Sequence, residues 1–539
     1  MWPGAWSGRS QRWRGSAVSV VTGFGVGADL RAMASLLAAY CTSLSQARHF
    51  GVTSGQKSFT TSPRVPINSN ESVTIEGPED WHRDCTKAHL MRYHFSGIAG
   101  AGMAPLACLV RSRGHEVQGS DRSLDQGKNR DVATRLRSAG IAILPHDGSA
   151  ITREIGRFVH STAVEASTPE MQAAARLGLT RIPRPALLAE VVNAGQPSVA
   201  IAGTSGKSTI TGMVAWLMRE TGRAATVVGG AALVGEGTSG CFLPGPEDGP
   251  VIAEACESDG TLVGYQPALG LIHNVSRDHG ELPALRAQFA TFAASCSTLL
   301  VNARCPEAAA IGRTLNAGTY GAVGGTDAVL EVLGLGAERA AGLLRCRSGD
   351  LKLDIPMPGL HNLENGAAAA LISLELGLDP LMIGTMLARF PGVARRFERV
   401  GVTASGIRVV DDYAHNGEKL RAAITTAQAG ASRVLAVFQP HGFGPARFLR
   451  PELRELLPGL LRRQDRFCFA EIFYAGGTVA KDISSRALAD DSGCAYAADH
   501  AKVRAWVVRE ARPGDTVLIM GARDPELPRL AREVFTALS

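Results

Sequence analysis

Several common signatures are missing from this chain. Its ten cysteines, scattered from Cys41 to Cys494, form no C-x-x-C pair, which argues against a zinc site and against a secreted disulfide framework. No apolar run approaches the ~20 residues of a membrane span. The nearest stretch, "SAVSVVTGFGVGA", is short and glycine-rich. No block of Lys and Arg with interleaved aromatics marks a nucleic-acid face, and a net charge of +6 is small for 539 residues. A reducing cytoplasm fits the cysteine pattern best, and the chain is expected to act as a monomer or homodimer that binds neither nucleic acid nor membrane. With 45% hydrophobic and 20% charged residues, the chain is long enough for three or four ordinary domains and poor in disorder signals.

Acid is scarce at the start. Up to Asn70 there is one acidic residue, Asp29, against seven Arg and Lys, with many Ser and Gly and no sustained period. That composition suits a targeting segment or a disordered extension, so residues 1–90 stand outside the fold argument.

From Met91 strand-like and helix-like patches alternate, as in a doubly wound α/β sheet. "RYHFSGIAGAGMAPLACLVRSRGHEVQGSD" has an apolar start, a glycine turn from Gly97 through Gly100 to Gly102, a helical pattern and a second strand ending at Asp121. Glycines there let a backbone approach a pyrophosphate, and the next helix N-terminus offers amide donors. Tight strand-to-helix packing explains such a turn equally well. The alternation runs to about Asn193, where "NAGQPS" reads as a linker.

The second domain opens on "SVAIAGTSGKSTITGMVAWLMRETG", an apolar strand, a Gly/Ser loop and an amphipathic helix reaching about Glu220. The loop resembles G-x-x-x-x-G-K-[ST] but has Ile201 where that motif has its first glycine. Strand, loop and helix are the context a phosphate loop needs. Amides of Thr204 to Ser208 would cradle phosphate oxygens, Lys207 would meet the β- and γ-phosphates, and Ser208 would offer a hydroxyl to magnesium. Two further strands end in polar clusters: "VIAEACESDG" in Glu254, Glu257 and Asp259, and "LGLIHNVSRDHGE" in Asn274, Asp278 and His279. Singly each is more often a solvated strand end. On successive strand ends of an open α/β sheet they point to a ligand site beside the loop.

In this order the motifs resemble the Mur ligases, ATP-dependent amide-forming enzymes of peptidoglycan precursor synthesis, over residues 91–539. The likeness is greatest to the branch that adds L-alanine to UDP-N-acetylmuramic acid. The family's loop is G-T-x-G-K-[ST]-[ST], which Gly203, Thr204, Ser205, Gly206, Lys207, Ser208 and Thr209 match, so the missing early glycine is a family trait. The resemblance implies three α/β domains: a Rossmann-like domain binding the UDP-sugar (91–193), a phosphate-loop ATPase domain (194–391) and a Rossmann-like acceptor domain (392–539). "HFSGIAGAGMAPLA" and "HSTAVEASTPEMQAA" resemble the sugar-nucleotide site and imply Gly97, Gly100, Gly102, Met103 and Ser161 as substrate-binding residues. "EACESD" implies Glu254 as a magnesium ligand. "NVSRDHGE" implies His279 as a second ligand and Asn274 as a positioning residue. "GLHNLENGAAAA" implies adenine recognition by Asn362, with His361 and Asn365 alongside. "FPGVARRFE" and "VVDDYAHN" imply Arg396 on the phosphates, Asp412 joining domains around ATP, and His415 facing the reacting centre.

Departures gather in the acceptor part. The branch reads F-Q-P-H-R-Y-T-R-T-R where this chain has "FQPHGFGPAR": His441 and Arg447 remain as expected substrate contacts, but Gly442 and Pro445 replace two arginines. "DDYAHNGEK" lacks H-H-P, "DHGE" replaces D-H-M-D, and "MGARD" replaces a G-A-G-D pattern. The expected activity is ATP- and magnesium-dependent joining of UDP-N-acetylmuramic acid to L-alanine. The alternatives are murein peptide ligation or another amine acceptor, a non-catalytic relative, and a generic phosphate-loop ATPase.

Overall fold

The computed structural model describes residues 90–539, apart from 238–239, 259, 277–280 and 475–479. The N-terminal extension, Asp259, Asp278 and His279 therefore lie outside the described residues. Three sheets follow one another along the chain.

The first sheet comprises β1 (Arg92–Ser96), β2 (Glu116–Ser120), β3 (Ala142–Leu144), β4 (Arg157–His160) and β5 (Arg181–Pro183). They lie in the order β3-β2-β1-β4-β5, all parallel. The expected second strand stops one residue before Asp121, whose side chain instead accepts from Ser123 N and caps the short helix Arg122–Asp125.

The central sheet holds β6 (Ser198–Ala202), β7 (Thr226–Gly229), β8 (Cys241–Leu243), β9 (Val251–Ala255), β10 (Leu269–Ile272), β11 (Thr298–Asn302), β12 (Gly318–Gly321), β13 (Ala328–Leu335), β14 (Ala340–Cys346) and β15 (Gly349–Ile355). Its order is β15-β14-β13-β12-β11-β10-β6-β9-β7-β8. β6 sits inside, parallel to β9 and β10, and every residue of "SVAIA" is buried, as a strand covered on both faces requires. Val199 and Ile201 pack toward the helices Lys207–Glu220 and Leu360–Glu375. The second of these presents Ala367 to Ala370, all fully buried, and small side chains let the two helix backbones lie close. Ala200 and Ala202 face the other way, into an apolar cluster that continues without a break into the core of the first domain around Phe95 and Leu106.

The third sheet is β16 (Glu398–Val402), β17 (Arg408–Asp412), β18 (Val434–Gln439), β19 (Arg466–Ala470), β20 (Ala495–Ala497) and β21 (Thr516–Gly521), in the order β16-β17-β21-β18-β19-β20. Along β18 the residues alternate between two clusters, Val434, Ala436 and Phe438 on one face and Leu435 and Val437 on the other. Both clusters are built within the third domain. The crossover into it is stitched to the central domain by Ala394 N to Ala232 O (2.9 Å) and Val234 N to Gly392 O (3.1 Å). Among the described residues no helix is long and apolar enough to cross a membrane.

Gly212, on the helix Lys207–Glu220, faces this crossover with no spare room: a Cβ there would lie 2.7 Å from Val393 Cγ2 and 3.3 Å from Leu233 Cδ2. We expect Gly212→Val to destabilise the chain by about 1–3 kcal/mol through overpacking. Urea unfolding with an unchanged midpoint would show that the junction yields freely.

Candidate functional site

The carboxyl ends of the central parallel strands open into a cleft of about 1740 Å³ lined by all three domains. Such strand ends are where open α/β sheets gather ligands. After β6 the chain turns through Gly203 and reaches Gly206, which has φ +87° and precedes the helix Lys207–Glu220. Only glycine suits that position: a Cβ would meet Asn365 Oδ1 at 2.5 Å and His273 Cδ2 at 2.8 Å. The loop is tied to the end of β10. Thr204 N donates to Asn274 O (3.0 Å), Ser205 N donates to Asn274 Oδ1 (2.8 Å), and Asn274 Nδ2 donates back to Ser205 O (3.1 Å). Thr204 Oγ1 also accepts from Ser276 N at 3.0 Å. Asn274 thus fixes the loop by both ends of its amide.

Lys207 is mostly buried. Its ammonium donates to Glu257 Oε2 at 2.8 Å and to the carbonyl of Gly203. Burial alone would lower its pKa, but the nearby Glu257 carboxylate outweighs burial and holds the ammonium above its ordinary value. Glu254, at the end of β9, accepts from Gly230 N at 3.0 Å. Ser208 and Thr209 sit in the first turn of the helix, and Ser208 Oγ accepts from Arg396 of the crossover at 3.3 Å.

On the far wall, Asn362 and Asn365 are buried on the helix Leu360–Glu375, with His361 at its start. Asn362 Nδ2 donates to Pro358 O (2.8 Å) and Asn365 Nδ2 to Asn362 Oδ1 (3.2 Å), while Asn365 Oδ1 is buried without a partner among the described residues. Next to them Arg304 forks onto the buried Glu364 at 2.6 and 2.9 Å. His273 donates or accepts at Tyr320 Oη (2.5 Å), and burial, aided by His361 and Arg304, pushes its pKa down to about 3.

The third domain contributes consecutive arginines that point apart. Arg395 turns inward to Asp411 (3.2 Å) and to the carbonyl of Gly521 (2.7 Å), and Arg396 reaches across to Ser208. Both guanidinium groups stand over the ring of Tyr413, at 5.1 and 4.9 Å from its centroid. Asp412 accepts from the amides of Phe397 and Ala414, each at 2.7 Å. Burial raises its pKa against the pull of Arg396. His415 and His441 face each other edge to face with centroids 5.3 Å apart, and both line the cleft.

In the first domain Gly97, Gly100 and Ser161 line the same cleft. Ala99 N at the turn donates to Asp121 Oδ2 at 3.0 Å. Three residues expected to touch substrate are not among the cleft lining: Met103, which is 2% exposed and turns into the apolar core, Gly102, which faces the Arg184 side chain, and Arg447, which pairs with Asp482 on the surface. His279 lies outside the described residues, and among the described residues no group of three metal-ligating side chains forms.

Behind the glycine turn lies a buried polar knot that no sequence motif marks. Glu170, fully buried, accepts from His94 Nε2 (3.1 Å), Ser96 Oγ (2.5 Å), Ser120 Oγ (2.5 Å) and His146 Nδ1 (2.9 Å). Its partners come from the first two strands and a distant loop, so no local pattern announces them. His146 also lines the cleft. Burial by itself would raise the Glu170 pKa, but His146, His94 and Ser120 outweigh it and hold the carboxyl well below its ordinary range. The same hydrogen bond raises the pKa of His146 against the effect of burial.

Three α/β domains meeting at one cleft, with a phosphate loop at its floor, define a multidomain phosphate-loop protein. Residues 92–196 match the family model "Mur ligase family, catalytic domain", 201–373 "Mur ligase middle domain", and 395–523 "Mur ligase, glutamate ligase domain". The chain is similar to the UDP-N-acetylmuramate--L-alanine ligase of Kineococcus radiotolerans, 34% identical with 83% of this chain and 97% of that one covered. It is also similar to the same-named ligase of Mycolicibacterium vanbaalenii, 33% identical over 86% of this chain and 98% of the other. Among solved structures, the UDP-N-acetylmuramate-alanine ligase of Thermotoga maritima shares the fold, with a TM-score of 0.67, 23% identity, and 83% and 98% of the two chains covered. The chain belongs to the Mur ligase family.

The Glu170 knot gives a pH-dependent expectation. Because its pKa is depressed on folding, Glu170 stabilises the chain above the ordinary carboxyl pKa near ~4, and that contribution is lost as pH falls through the folded value. His146, with a raised pKa, contributes fully below ~6.5, and its share is lost as pH rises through its folded value. Glu170→Gln should cost about 3 kcal/mol at neutral pH and flatten both limbs. Thermal unfolding of the two proteins across pH checks this, and parallel curves would rule the knot out as a source of stability.

Proposed function

We propose that this chain joins the carboxylate of UDP-N-acetylmuramic acid to L-alanine with consumption of ATP, in the cytoplasm, as a step of peptidoglycan precursor synthesis. The observation that carries the reading is the convergence of Lys207, Ser208 and Arg396 from two domains on one loop, within a cleft that also takes in the glycine turn of the first domain and His415 and His441 of the third. The similarity to curated alanine-adding ligases supports the same substrates.

The residues fit ATP and magnesium. Gly206 leaves a space that a Cβ would fill, and the buried Asn365 Oδ1 beside it is an acceptor without a partner among the described residues. Ser208 and Glu254 supply the hard oxygen donors that magnesium prefers, and two protein donors are enough because that ion commonly keeps water and phosphate as its remaining ligands. His279 would add a ligand from the end of the β10 loop. ATP bound there with magnesium would supply a phosphoryl group to the sugar's carboxylate with ADP leaving, and phosphate would leave in turn when the amine attacks the resulting acyl phosphate.

The chain's own part is charge and position. Amides of Gly203 to Thr209 and the helix N-terminus receive phosphate oxygens. Lys207 and Arg396 offset the charge that develops on the transferring group. Glu257 keeps Lys207 protonated and aimed, and Asn274 keeps the loop in shape. His361, Asn362 and Asn365 receive the adenine, and Asp412 orders the crossover through the amides of Phe397 and Ala414. Gly97, Gly100 and Ser161 form the sugar-nucleotide wall, and His415 and His441 face the incoming amine. A cleft walled by three domains excludes water from a product-forming intermediate that water would destroy.

Incubation of the purified chain with ATP, magnesium, UDP-N-acetylmuramic acid and a panel of amino acids and small peptides tests the proposal by product mass. A gain with L-alanine is the expected result. A gain with another amine alone would replace the acceptor, and no product with any amine would favour a non-catalytic relative. Lys207→Ala should lower ATP turnover by a factor on the order of 10³; normal turnover in that variant would remove the loop from the chemistry.

A further inference from the structure

We propose that Arg523 grips the carboxylate of the amino-acid acceptor, beside the loop where this chain has Gly442 and Pro445 instead of the resembling branch's two arginines. The inference rests on the ligase reading above and concerns the acceptor end of the same cleft.

Four observations meet at this residue. The first is position. β18 and β21 run parallel and adjacent, with Gln439 paired to Gly521, so the loops that follow leave the sheet side by side. One carries His441 and Gly442, and the other carries Arg523 two residues beyond the pair. The second is backbone conformation. Arg523 has φ +65°, the left-handed region that a side chain makes unfavourable, at the point where the resembling G-A-G-D pattern has glycine. Strained positions of this kind persist only where the surrounding structure over-determines them, and they gather at functional sites. The third is availability. Arg523 is exposed to the cleft, and its guanidinium makes no hydrogen bond or ion pair with a described residue, whereas Arg395 is committed to Asp411 and Arg396 to Ser208. The fourth is the surviving alternative. Arg447 is paired with Asp482 and does not line the cleft.

The loop is also fixed from below. Asp524 is 5% exposed, accepts from Glu526 N at 2.9 Å and stands 3.4 Å from His500 Nε2. Arg523 therefore extends from an anchored base. A guanidinium matches a carboxylate with two parallel hydrogen bonds, a geometry that neither glycine nor lysine reproduces.

The test compares L-alanine with L-alaninamide as acceptors for the full chain and for Arg523→Gly and Arg523→Asn. Both replacements suit a positive φ, so thermal midpoints should not fall. The expected result is a rise in KM for L-alanine on the order of 10- to 100-fold, with KM for ATP and for the sugar nucleotide unchanged. The preference for alanine over its amide should shrink by the same factor in both variants. An unchanged preference, or a rise in KM for ATP or the sugar nucleotide alone, would overturn the assignment while leaving the ligase reading standing. Absence of product from the unaltered chain with every acceptor would overturn both.

Discussion

One buried ammonium sets the terms for the central domain. Lys207 lies at the start of a helix whose positive end already disfavours a cation, and it is mostly out of water. It can stay charged there because Glu257, 1% exposed in its side chain, and the Gly203 carbonyl surround it. That requirement reaches outward. Glu257 must be delivered by the end of β9, Gly203 must turn immediately after β6, and Asn274 at the end of β10 must hold the turn open. Three adjacent parallel strands are thereby fixed in register at one end by a single charge.

The crossover to the third domain answers the same need from the other side. Both arginines line the cleft, but Arg395 is held by Asp411 and the Gly521 carbonyl while Arg396 reaches Ser208. Arg395 and Phe397 take positive φ values of 59° and 52° to make this divergence possible. The ring of Tyr413 lies against both guanidinium groups, so the segment that joins two domains is also the segment that presents a cation to the phosphate loop. Ser276 Oγ donating to Glu418 at 3.0 Å adds a second polar tie across the same gap.

Much of this was legible in the sequence, and the reason is locality. The loop from Gly203 to Thr209 with its flanking strand and helix, and the polar strand ends at Glu254 and Asn274, are contiguous, and their chemistry is written in neighbouring residues. The alternation of apolar patches announced an α/β chain, and the division into three domains came from the resemblance to the Mur ligases. What was not legible depended on pairs far apart in the chain: Glu170 with His94 and His146, Arg304 with Glu364, His273 with Tyr320. Side-chain direction was equally hidden. Met103 sits one residue past the glycine turn, yet a helix start that must cover the sheet turns it inward. Arg447 is on the helix Phe443–Leu460, where its turn carries it toward Asp482. The left-handed backbone of Arg523 is marked in the sequence only by the glycine that the resembling G-A-G-D pattern has at that point.

The apolar cluster shared by the first domain and one face of the central sheet has a mechanical meaning. Two sheets that share a common core cannot separate without exposing it to water. The third domain keeps both of its cores to itself and meets the others through hydrogen bonds, ion pairs and a stitched crossover. Polar contacts of that kind exchange with water at little net cost. The connection between that shared core and the third domain therefore falls on residues 392–396, the same short segment that carries Arg396 to Ser208 and Arg395 to the Gly521 carbonyl at the root of the acceptor loop.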